Sequence, residues 1–128
     1  MKVAFVHVKD RKVLVALNRG NDTWFLPGGQ REAGETEEQT LIREVKEELA
    51  VDIVPDSIEY FDTFEAQAFG APEGELVRVA CYFASFEGEL TASSEIAEID
   101  FFSYSMRDRT SAPTQLLLDD LKRRGRIA

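Results

Sequence analysis

The chain is short and acidic. It has 128 residues, of which 44% are hydrophobic and 30% charged, and 24 acidic against 15 basic residues give a net charge of −9. This length predicts one compact domain, spanning residues 1–128, with a core of its own. The charge argues against nonspecific binding to nucleic acid or to anionic lipid, for which a basic face is expected. No apolar run approaches the roughly 20 residues of a membrane span.

Cysteine usage and the N-terminal segment indicate the compartment. Cys81 is the only cysteine, so no internal disulfide can form, which favours a reducing environment. The first ten residues alternate like a strand and lack the apolar segment and cleavage site of a secretory signal. We therefore expect a cytoplasmic protein that binds neither nucleic acid nor membrane.

The N-terminal segments predict a β-hairpin followed by a glycine turn. Residues 2–9 place Val3, Phe5 and His7 on one side and Ala4, Val6 and Val8 on the other and read as a strand, and a short turn joins them to a second strand at 12–18. A polar loop and Trp24 then lead into a tight turn at Gly28 and Gly29, where glycines allow backbone conformations closed to other residues. The Trp24 indole could stack on a nucleobase, but packing beside the turn is the more common use of such a residue.

Residues 36–49 predict an amphipathic helix. Thr36 is a favourable N-cap, and Gln39 three positions later completes a capping box. At about 100° per residue, four apolar side chains form one stripe that would face the core. These are Leu41, Ile42, Val45 and Leu49.

Three glutamates share the helix face next to that stripe. Glu44, Glu47 and Glu48 project together because residues three and four apart are neighbours on a helix. Such like-charged pairs repel by roughly 0.2–0.5 kcal/mol even on an exposed helix, so we expect a cation among them. Ligand sets made only of oxygen suit the hard cations Mg²⁺ and Mn²⁺. Arg43 can hold a carboxylate in a bidentate pair, with either Glu47 or Glu35 as the partner.

The turn and helix together resemble the Nudix box, whose pattern is Gly-x5-Glu-x7-Arg-Glu-apolar-x-Glu-Glu-x-Gly-apolar. Eight of its nine positions match. The matching residues are Gly29, Glu35, Arg43, Glu44, Val45, Glu47, Glu48 and Val51. Ala50 stands where the pattern has glycine, and a left-handed helix end there would cost alanine about 1 kcal/mol.

This resemblance implies a hydrolase of nucleoside diphosphate derivatives that depends on Mg²⁺, with Mn²⁺ as a substitute. It implies that Glu44, Glu47 and Glu48 bind the metal, and that Glu44 also serves as a candidate general base. By the same analogy the carbonyl of Gly28 completes the coordination, and Gly29 lies against the substrate.

The resemblance assigns supporting roles to further residues. Glu35 and Arg43 would hold the helix carboxylates in position. Related enzymes bring one more glutamate to the metals or to the attacking water, and here Glu95 and Glu98, in a loop before a strand at 99–104, are equal candidates. Similar proteins often place a phosphate-facing arginine just before the box, where Arg19 lies; a solvated loop arginine is the alternative. Arg31, directly after the turn, is a second candidate phosphate contact.

The C-terminal half predicts a second hairpin and a second helix. Residues 58–69 and 75–86 read as strands joined by a turn rich in glycine and proline. The second strand is apolar on both faces, which indicates a central strand covered on both sides. Arg78 within it either pairs with Glu65 across the hairpin or faces the substrate cleft. A linker at 107–112 precedes a leucine-rich helix that begins near Pro113.

The order of the elements and the apolar faces of the sheet predict an α/β fold with three layers, and the resemblance implies the Nudix-type α/β/α sandwich with a mixed central sheet. The first expected substrate is a nucleoside triphosphate, cleaved to a monophosphate and pyrophosphate, and a dinucleotide or nucleotide sugar such as ADP-ribose comes second. A sensing Nudix domain that binds nucleotides without cleaving them is the alternative from another class. The intact carboxylates favour the enzyme. Many relatives are dimers, but no exposed apolar stripe in this sequence predicts a homodimer.

Overall fold

A computed structural model describes all 128 residues and places β-sheets between two helices. The helices are α1 (Glu37–Leu49) and α2 (Ala112–Arg123). The strands are β1 (Lys2–Val6), β2 (Val8–Lys9), β3 (Lys12–Asn18), β4 (Gly28–Gln30), β5 (Asp52–Ile53), β6 (Glu59–Gln67), β7 (Leu76–Phe83), β8 (Phe86–Glu87) and β9 (Ile96–Phe102). Short 3₁₀ turns lie at Pro55–Ser57 and Tyr104–Arg109.

The main sheet is mixed, as the resemblance implies. Its four strands lie in the order β4-β1-β7-β6, and β1 pairs with β7 in parallel while the other two pairings are antiparallel. A second sheet has the order β2-β3-β9 and is antiparallel throughout. The strands β5 and β8 form a separate short pair.

Each helix covers a different face of the sheet, which confirms the three-layer arrangement. Alternate residues of β1 and β7 point to opposite sides, so these two strands contribute to both core clusters. On the α1 side the core contains Val3, Phe5, Leu41, Val45, Leu49, Ala80 and Tyr82. On the α2 side it contains Ala4, Val6, Val79, Cys81, Phe102, Leu117, Leu118 and Leu121. Burying each leucine side chain contributes about 1.5–3 kcal/mol, so the sheet holds α1 rigidly in place.

The ends of α1 follow the sequence prediction. The Gln39 N–H donates to the Thr36 side chain at 3.1 Å, and the Thr36 N–H donates to the Gln39 side chain at 2.9 Å, so the capping box is present. Ala50 ends the helix in a left-handed conformation, with φ 58° and ψ 31°. Its N–H donates to the Lys46 carbonyl, which fixes the helix end.

Several predicted segments differ from the structure, and one of them is the strand predicted at 75–86, which ends at Phe83 while Phe86 lies in β8. The first strand is broken at His7, because β1 lies in the main sheet while β2 pairs with β3 in the second sheet. The last strand begins at Ile96, so Glu98 lies in β9 opposite Leu17 and not in a loop. The predicted linker at 107–112 begins as a 3₁₀ turn, and Arg107 fastens it to α2 through Asp119 at 2.6 Å.

Candidate active site

A single cleft of about 500 Å³ opens beside α1 and the glycine turn. Its acidic part consists of the side chains of Glu44, Glu48 and Glu95 beside the backbone of Gly28 and Gly29. Its second part is apolar and is lined by Phe25, Leu26, Ala68, Phe69, Val77, Val79 and Pro113. A cleft of this size falls within the range of about 300–1,000 Å³ that is typical of small-molecule sites.

Glu48 is the most buried acid of the cleft. Only 6% of the residue is exposed, and its Oε1 accepts a hydrogen bond from the Gly28 N–H at 2.9 Å. Burial raises the Glu48 pKa to about 8, although the hydrogen bond from Gly28 acts in the opposite direction. The charges of Glu44, Glu95 and Glu47 raise this pKa further, so the four carboxylates interact. A cation placed among them would reverse this effect.

The two glycines permit a close approach between β4 and its neighbours. A Cβ on Gly29 would lie 2.4 Å from the carboxyl carbon of Glu44, so the end of the Glu44 side chain would have to move. A Cβ on Gly28 would lie 2.0 Å from the Val3 carbonyl oxygen, and Gly28 also has a positive φ of 149°. The turn therefore needs glycine at Gly28, and glycine at Gly29 leaves the Glu44 carboxylate in its place against the backbone.

Arg43 connects the glutamates of the box. Its Nε and Nη2 donate to the two carboxylate oxygens of Glu35 at 2.7 and 3.0 Å, which confirms the predicted bidentate pair with Glu35 as the partner. Its Nη1 donates to Glu44 Oε1 at 2.9 Å and lies 3.5 Å from Glu47. The hydrogen bond from Arg43 lowers the Glu35 pKa to about 2, and the Glu32 backbone contributes. The geometry therefore fixes both Arg43 and the carboxylate of Glu44.

The carboxylates of α1 supply oxygen donors but do not enclose an ion by themselves. No group of three or more acidic, histidine or cysteine side chains converges closely enough to form a complete cation cage. Glu44 is held by Arg43, Glu48 is held by Gly28, and the Glu47 side chain is 52% exposed. The donor set is nevertheless the one that a hard divalent cation prefers, because it consists of carboxylates and a backbone carbonyl. In the chemistry of their oxygen atoms the residues therefore fit such an ion.

Of the two candidate glutamates outside the box, only Glu95 reaches the cleft. Glu95 lies just before β9 and lines the cavity, and its backbone carbonyl accepts a hydrogen bond from the Arg19 N–H at 2.9 Å. Glu98 is exposed on β9 and does not line the cavity. The structure thus separates two residues that the sequence left equal.

Four predicted substrate contacts lie outside the cleft. Arg19 and Arg31 are exposed and absent from its lining, and Arg31 Nη1 donates to the Glu35 carbonyl at 2.8 Å. Arg78 is also absent from the lining; it lies opposite Glu65 in the β6–β7 register, 3.7 Å from its carboxylate. The first of the two alternatives for Arg78 is therefore the one observed.

Trp24 is the fourth of these residues, and its position corrects the base-stacking alternative. It is only 6% exposed, lies in the core cluster on the α2 side, and packs against Phe102 with ring centroids 5.0 Å apart. The backbone bridge between Trp24 and Thr110 holds the indole inside the core. No face of the ring is free to take a base.

Several residues of the cleft were missed by sequence reasoning. Phe25 and Phe69 line its apolar part, and Asn18, Asn21, Ser111 and Thr114 line it with uncharged polar groups. One sequence signal for Phe69 was available, because a large aromatic residue directly beside a Gly-Ala-Pro turn occupies a place where polar residues are usual.

Comparison with known proteins decides the family. A sequence model described as the NUDIX domain matches residues 2–116. The chain belongs to the Nudix family. It is 26% identical over 118 residues to an ADP-ribose pyrophosphatase of Methanocaldococcus jannaschii, and the match covers 90% of this chain and 68% of that protein.

Two solved structures share the fold. The MutT NUDIX hydrolase from Burkholderia pseudomallei has a TM-score of 0.74 and 20% identity, and the match covers 92% of this chain and 94% of that one. The E. coli ORF135 protein has a TM-score of 0.73 and 23% identity, covering 94% of this chain and 89% of that one. At this level of identity the two structures show the fold alone.

Membership gives the general activity. As a member of the Nudix family, the chain is a pyrophosphohydrolase. Nudix hydrolases act on nucleotide-type small molecules and generally need a divalent metal ion. Neither helix has the length and apolarity that a membrane crossing demands.

Proposed function

We propose that the chain hydrolyses nucleoside triphosphates to a nucleoside monophosphate and pyrophosphate with Mg²⁺ as the metal. The observation that carries this proposal is the buried carboxylate of Glu48, held by Gly28 beside Glu44 in the single cleft. Burial and neighbouring acids raise the pKa of this carboxyl group, so its ionised form is costly to keep in the cleft unless a cation binds to it. A polyphosphate brings such cations with it.

The residues that would hold the ion lie on two elements. Glu44, Glu47 and Glu48 present carboxylates from α1, and Gly28 presents its carbonyl from β4. The bound ion would neutralise phosphate charge and lower the pKa of an attacking water. Mn²⁺ would substitute, because it accepts the same oxygen ligands.

Glu44 is the candidate general base. Arg43 occupies its Oε1, which leaves Oε2 to accept a proton from the attacking water. The bidentate pair between Arg43 and Glu35 keeps that guanidinium, and with it the Glu44 carboxylate, in one orientation. Glu95 lines the same part of the cleft and is a second candidate for orienting the water.

A second candidate substrate is ADP-ribose. The relative from Methanocaldococcus jannaschii is named for that activity and matches 90% of this chain. ADP-ribose contains the same diphosphate linkage, so the acidic part of the cleft would serve both reactions.

The test is hydrolysis of a panel of nucleoside triphosphates and ADP-ribose, with Mg²⁺, with Mn²⁺ and with EDTA. Glu44→Gln and Glu48→Gln should each keep the fold and reduce kcat by about 10²- to 10⁴-fold, the usual loss when a general base or a comparable catalytic group is removed. Glu38→Gln is the matched control, because Glu38 is exposed on the same helix and does not line the cleft. Wild-type rates in both cleft variants would refute the assignment, and turnover of ADP-ribose alone would select the second substrate.

A further inference from the structure

Phe69 is a large apolar side chain held half in solvent at the rim of the cleft. It is 54% exposed and follows β6 in the turn that joins β6 to β7. Its ring meets the ring of Phe25 edge to face, with centroids 5.1 Å apart at an angle of 90°. Both rings line the cleft, so the uncovered part of Phe69 forms part of the wall that a ligand would meet.

The turn that carries Phe69 is braced by one side chain, that of Gln67. Gln67 Nε2 donates to the carbonyls of Ala68, Ala71 and Pro72 at 3.2, 3.3 and 3.0 Å. Gln67 Oε1 accepts from the Gly74 N–H at 2.9 Å. These bonds satisfy backbone groups on both sides of the turn, so Phe69 is held in position before any ligand arrives, which lowers the cost of binding.

The surroundings of the two rings suit a flat, uncharged ligand. The neighbouring lining is apolar, from Leu26, Val77 and Pro113. The polar groups nearby are amides and hydroxyls, from Asn18, Asn21, Ser111 and Thr114. Lys2 is the only basic side chain that lines the cleft, so phosphates must rely on cations bound at the acidic part.

We propose that Phe69, supported edge to face by Phe25, forms a wall on which the nucleobase of the substrate stacks, with Gln67 as the residue that positions Phe69. The inference rests on the proposed function, because the phosphates must lie at the glutamates for the base to reach this wall. Aromatic rings take any base by its face, and amides and hydroxyls can then read the edge of the base through hydrogen bonds. The chain would thus recognise substrates by the base, and a polyphosphate without a base would lose this contact.

The first experiment separates binding from chemistry. Truncating a stacked aromatic weakens binding by roughly 5- to 150-fold. Phe69→Ala should therefore raise KM for the preferred nucleotide about 10-fold, with the loss falling on KM and not on kcat, and Phe69→Trp should restore KM. Gln67→Ala should also raise KM although the ring is intact. Leu76→Ala is the matched control, because Leu76 is 56% exposed at the start of β7 and does not line the cleft.

Two further probes distinguish this inference from the proposed function. Phe69→Ala should lower the ratio of kcat/KM for a nucleoside triphosphate to that for inorganic tripolyphosphate about 10-fold, because only the former has a base. An unchanged ratio, or an unchanged KM in Phe69→Ala, would overturn the stacking wall while leaving hydrolysis in place.

The second probe needs no metal and no turnover. Adenosine, guanosine, cytidine and thymidine are titrated in EDTA into the wild type and Phe69→Ala, and binding is followed by NMR at the turn around Phe69. Binding of at least one nucleoside to the wild type and its loss in the variant would support the wall even if no nucleotide were hydrolysed. Absence of binding by all four would overturn it.

Discussion

At the scale of single residues, Ala50 is the position at which the chain departs from the Nudix box pattern. Its backbone conformation there destabilises the folded protein. Its φ of 58° is in the left-handed region, where an L-residue loses roughly 1–2 kcal/mol and glycine does not. Ala50→Gly should therefore raise the free energy of unfolding by about 1 kcal/mol, after the greater freedom of glycine in the unfolded chain is subtracted. The expected rise in Tm is about 4 °C in thermal unfolding.

A control for this effect is Ala33→Gly. Ala33 is exposed in a turn and its φ is not positive, so glycine there only adds unfolded-state freedom and should lower Tm slightly. A fall in Tm for Ala50→Gly of the same size as for Ala33→Gly would show that the helix end is not strained.

Single residues also show what the sequence can and cannot predict about the site. The shared face of Glu44, Glu47 and Glu48 could be predicted because helix periodicity alone places them together. For Phe69 the sequence offers only its place beside the Gly-Ala-Pro turn, and its position in the cleft depends on the folding of β6 and β7 against distant segments. For Trp24 the sequence left base stacking open beside packing, and its bridge to Thr110 buries it, in agreement with the packing alternative.

At the scale of elements, the boundary between β1 and β2 shows the limit of periodicity. Alternation runs unbroken through His7, so the sequence predicts one strand, but the chain changes sheets there. His7 at this junction lies among Phe5, Phe86 and Phe101, with ring centroids 5.9, 5.0 and 5.9 Å away. The choice of neighbouring strand depends on long-range pairing, which periodicity does not encode.

This junction predicts a pH dependence of stability. Burial lowers the His7 pKa below its ordinary value near 6.5, and the charge of Lys9 contributes. The folded state therefore disfavours the protonated ring, so the stability that His7 contributes is present above about pH 6.5 and is lost as pH falls toward the folded-state pKa. His7→Phe keeps an aromatic ring and removes the titration. Thermal unfolding of both proteins from pH 7.5 to 5.5 should show the wild type losing more Tm than the variant, and parallel curves would contradict this account.

At the scale of the whole molecule, the net charge of −9 and the acidic cleft both lower the stability of the folded protein. A surplus of like charge destabilises the compact state through self-repulsion, and the cleft concentrates part of it at Glu44, Glu48 and Glu95. The two covering helices could be predicted because the apolar patterns of β7, α1 and α2 fix which faces are buried, whereas the mixed sheet was implied only by the resemblance. The acidic cleft is then a consequence of placing α1 beside the glycine turn.

A divalent ion that binds the folded protein and not the unfolded chain should raise the free energy of unfolding of the whole domain. Such a ligand adds about 2.7 kcal/mol at a hundredfold excess over its Kd, which corresponds to a Tm increase of about 10 °C for a chain of this size. Mg²⁺ or Mn²⁺ should produce this increase in the wild type, and Glu48→Gln should lose most of it because a ligand is missing. NaCl at matched ionic strength is the control, since screening alone reduces the repulsion of the whole surface. An equal increase with NaCl, or an undiminished increase in Glu48→Gln, would show that the ion acts on the overall charge and not at the glutamates of α1.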